Sequence, residues 1–282
     1  KGTYLMPWTD EHAIKGRLHP NLHANRVRTR RFSGSNPNLQ NVPNRTKLGR
    51  MLRECLIADS DWTVYSADYS QVEYRCFGHY SGEPAILKAY RTDPLADFHR
   101  EVGLLIGLLR DLAKHTNFGI LYGMGLDKLA RKLRCTRARA EQIMKQYHAR
   151  IPTLKALKSR LEAEIRRTGK VTNIFGARRH LSSAEAHIAL NSLCQGTAGD
   201  MMRRAMVRAR PVVRAAGGNL LLQVHDDLKF RLPGRNIAAH RETVEEVSRV
   251  MSDFPMFKVP MPVDIQYYQT NWAEKVKYAK SS

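Results

Sequence analysis

Acidic residues are scarce in this 282-residue chain: 26 Asp and Glu stand against 47 Lys and Arg, a formal net charge of +21. A small soluble domain needs only about 2 to 8 units of net charge to stay dispersed, so the shortage of acids asks for a polyanionic partner. Nucleic acid is the first candidate and an acidic membrane surface the second. Cysteine is sparse as well. Cys55, Cys76, Cys135 and Cys194 form no CxxC pair and no Cys/His cluster of zinc spacing, which excludes a disulfide framework or a zinc module and reads them as reduced thiols. Long apolar runs are missing too. The longest, Val102 to Leu109, is far short of the roughly 20 residues that span a bilayer; no signal-peptide pattern opens the chain, and membrane insertion is not expected. Neither an internal repeat nor a low-complexity linker is visible. What is present is 43% hydrophobic and 8% aromatic residues, enough for a real core in one large domain or two ordinary ones.

The first 50 residues are rich in Arg, Asn, His and Pro and carry no sustained period, so they read as an extended, basic, ligand-facing loop. The run Trp62 to Asp68 has the β-branched and aromatic content of a strand and passes directly into the helically spaced DYSQVEYRCFGHYSG. From Asp97 to about Arg150 the pattern is mostly helical, broken at Gly123 and Gly125, with Thr136 as an N-cap. Another helix opens at Pro152 and ends near Gly169, KVTNIFG reads as a short strand, and Ala186 to Ala216 reads as one long helix closed by Gly217-Gly218. A hairpin follows, Asn219–Val224 and Leu228–Leu232, joined through His225-Asp226-Asp227. A helix over 235–251 and a strand near 263–265 complete an α+β arrangement.

Two acidic spots lie at the edges of apolar strands, Asp68 and the pair Asp226/Asp227. Most Asp residues at strand ends are turn or cap acids. In a chain this basic, carboxylates that converge in a positive cleft have a second use, holding divalent ions for in-line phosphoryl transfer. A further pattern is Arg110, Lys114, Phe118 and Tyr122, which recur every four residues and so share one broad helix face. Such a stripe suits a nucleotide, cations to phosphates and aromatics to sugar and base; the plain alternative is a half-buried helix with a solvated cationic edge.

The strings SNPNLQNVP, DYSQVEYR, RDLAKHTNFGILYG, LNSLCQGTAGDMM and LLQVHDD, in this order, resemble the polymerase domain of family A DNA polymerases. The likeness runs from Thr3-Tyr4 to the PVDI and NW near the C-terminus. It implies a right-hand polymerase palm built on an antiparallel sheet, with mostly helical fingers and the thumb outside the given chain. Residues 1–90 would be the N-terminal part of the palm with the DNA-binding loop and first metal Asp, 91–185 the fingers with the nucleotide-binding helix 109–122, and 186–282 the C-terminal part of the palm with the HDD hairpin.

By the same resemblance, Asp68, Asp226 and the Tyr69 carbonyl would hold two Mg²⁺ ions, with Mn²⁺ as a substitute, and Asp227 would lie close to them as a further catalytic acid. Glu73 matches the steric gate against a ribose 2′-OH and would bond Tyr122. Arg110 and Lys114 match the triphosphate grip, with Lys114 also the proton donor to pyrophosphate; Gln71 and His99 match further phosphate contacts, and Phe118 the sugar and base. Arg31, Asn38, Gln40, Asn41 and Arg45 match the primer–template segment, Asn191, Gln195 and Thr197 a helix at the nascent pair, and Gln223 and His225 the primer end. The joins near Ile106-Gly107-Leu108 and Ser182-Ser183-Ala184 are shorter than the family pattern, and Asp111 stands where relatives often carry a second base.

The activity so implied is DNA-templated addition of dNMP to a primer 3′-OH with release of pyrophosphate, in replication or repair. Its partners are primer–template DNA, dNTPs and a processivity factor or other replication proteins, with a monomeric catalytic unit in the cytoplasm or nucleoid of a bacterial or phage-infected cell, an organelle being the alternative. Two other functions compete. A single-subunit RNA polymerase shares the palm aspartates but must admit the 2′-OH that Glu73 would block, and its hairpin more often reads HDS. A catalytically inactive DNA-binding module has no need to retain both Asp68 and Asp226.

Overall fold

The computed structural model describes Tyr4, residues 6–44 and residues 46–279; the side chains of residues 10, 101, 104–106, 110 and 111 lie outside the described set. In chain order come Ala13–Ile14 (β1), Arg17–Leu18 (β2), Asn21–His23 (β3), Ser33–Ser35 (β4), Lys47–Glu54 (α1), Trp62–Tyr69 (β5), Val72–Ser81 (α2) and Pro84–Thr92 (α3). Phe98–Ile106 (α4), Arg110–Leu121 (α5), Leu126–Leu133 (α6), Arg137–Arg150 (α7), Thr153–Thr168 (α8), Lys170–Thr172 (β6) and Arg178–His180 (β7) follow. The rest is Ala189–Ala215 (α9), Asn219–Val224 (β8), Asp227–Pro233 (β9), Arg241–Ser252 (α10), Val263–Tyr268 (β10) and Val276–Lys277 (β11).

The chain divides into two compact units. A sheet unit comprises Lys1–Ser70, Ala198–Phe254 and Pro262–Ser282, and a helical unit Gln71–Thr197 and Pro255–Met261. The divides fall at 70/71 and 197/198, and not at the 90/91 and 185/186 boundaries read from the sequence. The reason is packing: β5 is stitched into the large sheet on both sides, whereas α2, immediately after it, packs on α8 and α3.

In the sheet unit five antiparallel strands run in the order β11-β10-β5-β9-β8. β5 is central, and its residues 63–67 are all buried, so its sequence reads as a continuous run of Thr, Val, Tyr, Ser and Ala with no clean alternation. Below it Trp8, Leu39, Val42, Leu52, Val64, Leu222, Tyr268 and Trp272 make one apolar cluster, each large side chain contributing about 1.5–3 kcal/mol by leaving water. α1 starts where Thr46 Oγ1 accepts from the Gly49 amide at 3.0 Å. The basic N-terminal region, expected to be loop, carries the two small hairpins β1-β2 and β3-β4. They were unreadable because two- and three-residue strands leave no period.

The helical unit buries Tyr74, Phe77, Phe98, Tyr147, Leu157, Leu161 and Ile165. Arg75 is wholly buried as well, its guanidinium donating to the Pro94 carbonyl at 2.7 Å and the Pro260 carbonyl at 2.9 Å and stacking 3.9 Å from the Tyr90 ring centre. Thr136 caps α7 as its sequence position suggested, accepting from the Arg139 amide. KVTNIFG turns out to be half of a hairpin, β6 with β7. The stretch before α9 is a 3₁₀ turn, Ser183–Ile188, so the long helix begins at Ala189.

Candidate active site

The site in the sheet unit begins with register. Asp68 on β5 lies directly opposite Asp227 on β9 and Asp264 on β10, so three aspartates form a row on one face of three adjacent strands. The β8-β9 connection is only His225-Asp226, since Asp227 already pairs with Val224 as the first residue of β9. His225 takes φ +56° to make this turn, a left-handed conformation that costs a non-glycine residue about 1–2 kcal/mol. The Tyr69 amide donates to the Asp226 carbonyl at 3.0 Å, pinning the turn beside the end of β5. Tyr69 in turn is fixed by its hydroxyl, which donates to the Met251 carbonyl at 2.5 Å.

An open cleft of about 740 Å³ is lined by Asp68, His225, Asp226, Asp227, Arg53 and Lys275, among others. The Asp68 carboxyl opens to solvent on one side while protein crowds it on the others. That desolvation, with the charges of Asp227 and Asp226 added, raises its pKa to about 7 against the pull of Lys275 and Lys229. Asp227 behaves oppositely. Burial would raise it, but Lys229 and Lys275 outweigh burial and hold it below the usual carboxylate range.

A carboxyl that keeps its proton longer when folded makes folding less favourable as pH climbs from about 4 to about 7, and the penalty stays at its full size above that. Asp68→Asn is therefore expected to raise Tm at pH 8 and to do so less at pH 5, by about 2–4 °C at the higher pH for a relief discounted to ~1 kcal/mol because solvent reaches the group. Melting curves at the two pH values check it, and an equal shift at both would contradict the raised pKa.

Of the expected DNA-side residues in this unit, Arg31 is brought onto the carboxylates: its guanidinium donates to Asp226 Oδ1 at 3.3 Å and Oδ2 at 3.4 Å. The loop carrying it is clamped to α9, because Arg30 Nε donates to both Asp200 oxygens at 2.7 and 2.9 Å and Arg203 donates to the Arg30 carbonyl. Gly199 is required there, since a Cβ would sit 2.8 Å from the Arg30 carbonyl oxygen. Gln40 donates to the Gln223 side chain at 2.9 Å and to its backbone carbonyl at 3.1 Å, and Gln223 donates to the His225 carbonyl. Asn38 accepts from the Gln40 amide, Asn41 is exposed, and Arg45 lies outside the described residues.

In the helical unit, α2 starts abruptly at Gln71, which takes φ +51°. The Gln71 amide donates to the Ala96 carbonyl and accepts from the Tyr90 hydroxyl, both at 3.1 Å. One turn on, Glu73 accepts a hydrogen bond from the Tyr122 hydroxyl. Burial, then the neighbouring Cys194 and Glu73, push the Tyr122 phenol well above its ordinary pKa, so it stays a donor. Phe118 stacks on Tyr122 at 6.1 Å with 25° between planes, and Lys114 is half-buried four residues before it. Arg110 opens α5, with its side chain outside the described set. His99 is buried, its Nδ1 within 3.2 Å of the Asn117 amide and its ring 5.1 Å from Phe118.

Thr197 is placed in the core. A chain of hydrogen bonds runs from the Ile174 amide to the Tyr80 hydroxyl, from Tyr80 to Thr197 Oγ1 at 2.7 Å, and from Thr197 to the Leu193 carbonyl at 2.7 Å. Gln195 is half-buried, and the Asn191 side-chain oxygen is buried with no hydrogen-bond partner among the described residues. Sequence reasoning missed Asp264, Ser66, Lys229 and Lys275, all of which bear on the aspartate row. Only Lys229 left a signal, as a lysine in the apolar strand LKFRL.

Magnesium takes oxygen ligands, commonly one or two carboxylates with the remainder from water and substrate phosphates. Among the described residues no three His, Cys, Asp or Glu side chains form a ready-made metal cluster, while Asp68, raised by burial and then by the charges of Asp227 and Asp226, and Asp226 itself supply the pair of carboxylates that such chemistry asks for. The donor set fits. No helix among the described residues is long and apolar enough to cross a membrane.

The chain and its fold have counterparts among known proteins. The thermostable DNA polymerase I of Thermus aquaticus is 34% identical over 285 residues, covering 94% of this chain and 34% of that protein. DNA polymerase I of Deinococcus radiodurans is 35% identical over 285 residues, covering 94% of this chain and 29% of that protein. Among solved structures, the POL domain of Pol1 from M. smegmatis, in complex with DNA primer-template and dNTP, superposes with a TM-score of 0.85 at 27% identity over 95% of this chain and 50% of that one. This chain thus spans about a third of the curated relatives' length. The model of DNA polymerase family A matches residues 1–274, and with the sheet, the aspartate row and the Glu73–Tyr122 pair in place, the chain belongs to that family.

Proposed function

We propose that this protein is a DNA-templated DNA polymerase, adding dNMP to a primer 3′-OH with release of pyrophosphate. The observation that carries the reading is the aspartate register: Asp68 opposite Asp227 with Asp226 on the adjoining turn, in an open cleft where Arg50, Arg53 and Lys275 face the three acids. Two Mg²⁺ ions, or Mn²⁺ in their place, would be held by Asp68, Asp226 and the Tyr69 carbonyl and would supply activation of the attacking oxygen and neutralisation of the leaving one. Asp68 has to surrender its proton for this, which favours activity above about pH 7.

The remaining roles belong to side chains. On α5, Arg110 and Lys114 would take the triphosphate, with Gln71 and His99 as further phosphate contacts, and Lys114 would give a proton to the departing pyrophosphate. Phe118 would lie against sugar and base, Tyr122 near the templating base, and Glu73 would exclude a 2′-OH while bonded to Tyr122. Arg31, Asn38, Gln40, Asn41, Arg45, Asn191, Gln195, Thr197, Gln223 and His225 are proposed for primer–template, Thr197 and Gln40 acting from buried positions that brace neighbouring groups. The +21 excess serves as the general phosphate track. Replication or repair in the cytoplasm or nucleoid is the setting proposed, with a monomeric catalytic unit and a processivity factor as a further partner.

Primer extension with dNTPs and rNTPs in parallel, with and without Mg²⁺, tests the reading. Extension confined to dNTPs plus metal is expected; preference for rNTPs would favour an RNA polymerase, and duplex binding without extension an inactive module. Lys114→Ala is expected to raise the nucleotide KM by about tenfold, the size of one charge-assisted hydrogen bond, with duplex affinity kept. A variant that loses duplex binding and keeps its nucleotide KM contradicts the α5 assignment.

A further inference from the structure

Lys229 stands on β9 between Leu228 and Phe230, and only 2% of its surface is exposed. A buried ammonium is heavily penalised unless it is paired and hydrogen-bonded, and this one is. It donates to Asp227 Oδ2 at 2.8 Å and to Ser66 Oγ at 2.9 Å, and it lies 4.7 Å from the centre of the Trp272 ring. Lys275 adds a second ammonium, 2.7 Å from Ser66 Oγ and 3.5 Å from the same Asp227 oxygen. Ser66 completes the arrangement by donating to the Asp227 carboxylate at 2.7 Å. Ser66 and Lys229 are register partners on β5 and β9, so the sheet itself fixes their approach. Both oxygens of Asp227 are therefore engaged from within the sheet unit by two ammonium groups and a hydroxyl, while Asp68 has no ammonium within salt-bridge distance among the described residues and Asp226 meets the Arg31 guanidinium at the longer distance of 3.3 Å.

We propose that Lys229, seconded by Lys275, is a positioning residue that reserves the Asp227 carboxylate as its counter-ion, so that divalent cations meet two carboxylates, Asp68 and Asp226, and not three. The inference rests on the metal reading above and sharpens it. Three unclaimed aspartates around one site would bind cations more tightly and repel one another more strongly; two, with a third held in reserve by lysines, leave coordination positions for the phosphates of a substrate. Lys229 itself is not a catalytic residue: its ammonium meets Asp227, Ser66, the Trp272 ring and the neighbouring Lys275, and acts through Asp227.

Binding of Mn²⁺, counted from the free-ion signal in electron paramagnetic resonance, tests this on the parent protein, Asp226→Asn, Lys229→Met and the double variant Asp227→Asn/Lys229→Met, each with a thermal melt. Asp226→Asn is expected to weaken binding. Lys229→Met is expected to tighten it on the order of fivefold, since a released carboxylate then faces the cation. The double variant, a neutral pair of similar size, is expected to bind within about twofold of the parent. A double variant as weak as Asp226→Asn would make Asp227 a ligand and overturn the proposal; so would a Lys229→Met protein that melts lower with an unchanged Kd. Should Lys229→Met fail to fold, Lys275→Met, at a side chain 20% exposed, is expected to tighten binding by a smaller factor, and an unchanged Kd there overturns the proposal equally. A parent that binds no Mn²⁺ sinks the metal reading together with the inference, whereas a parent that binds through Asp226 and ignores both lysines sinks the inference alone.

Discussion

Asp226→Asn is expected to lower single-turnover primer extension on the order of 10³-fold at saturating dNTP, the equivalent of ~4 kcal/mol of lost charge stabilisation in the transition state. Asn keeps the size of the side chain and its fit in the two-residue turn, and the Tyr69 amide still has the backbone carbonyl of residue 226 to bond. The Arg31 contact, at 3.3 Å and with 22% and 24% of the two side chains exposed, is a long ion pair that an asparagine oxygen can still accept from, so its weakening is worth about 1 kcal/mol. Loss of turnover with a nearly unchanged melting curve would therefore locate the effect in the chemistry. An Asp226→Asn protein that extends a primer within tenfold of the parent would remove Asp226 from the metal site, and with it the reading of the aspartate row as catalytic.

Glu73→Ala should relax sugar selection, raising the rNTP-to-dNTP efficiency ratio on the order of 10²-fold, about 2.7 kcal/mol. Discrimination of that size is within reach of one side chain that both fills space and leaves a 2′-OH without a partner. The same change strips the Tyr122 hydroxyl of its acceptor, and an unsatisfied buried donor costs about 1–3 kcal/mol, so the alanine protein should also melt lower. Glu73→Gln separates the two effects. It restores bulk and an acceptor, and so is expected to return both the melting temperature and most of the selectivity. An unchanged rNTP/dNTP ratio in the alanine variant, whatever its stability, would leave Glu73 as a structural partner of Tyr122 only.

Much of the sheet unit was legible because its signals are local. The run Trp62 to Asp68 announced a strand, and the strand-like runs on either side of the tight His225-Asp226-Asp227 connection announced a hairpin. Even there the turn was read one residue too long, since the chain gives no sign that Asp227 already pairs with Val224. The every-fourth-residue pattern from Lys114 to Tyr122 gave the helix and its shared face. What stayed hidden depends on partners far away in sequence. Arg31 and Asp226 are 195 positions apart, and Lys229 and Ser66 are 163 apart; no window of neighbouring residues encodes either meeting. Thr197 shows the complementary difficulty: a polar residue on a helix reads as surface until a tyrosine from another helix claims its hydroxyl. The unit boundaries were hidden for a related reason, since α2 follows β5 without a break in composition and only its packing on α8 assigns it elsewhere.

Asp264, Asp68 and Asp227 stand side by side across three strands, and like charges directly opposite one another weaken a sheet. The row crosses the end of β5, whose residues 63–67 are all buried, so relaxation of the backbone there is resisted by packing. The lysines relieve the strain at one end only. Neutralising Asp68 relieves the repulsion at its centre, whereas neutralising Asp227 alone would leave the buried Lys229 ammonium without its counter-ion. The three acids together are thus a local cost in durability that the packing of the surrounding sheet has to carry.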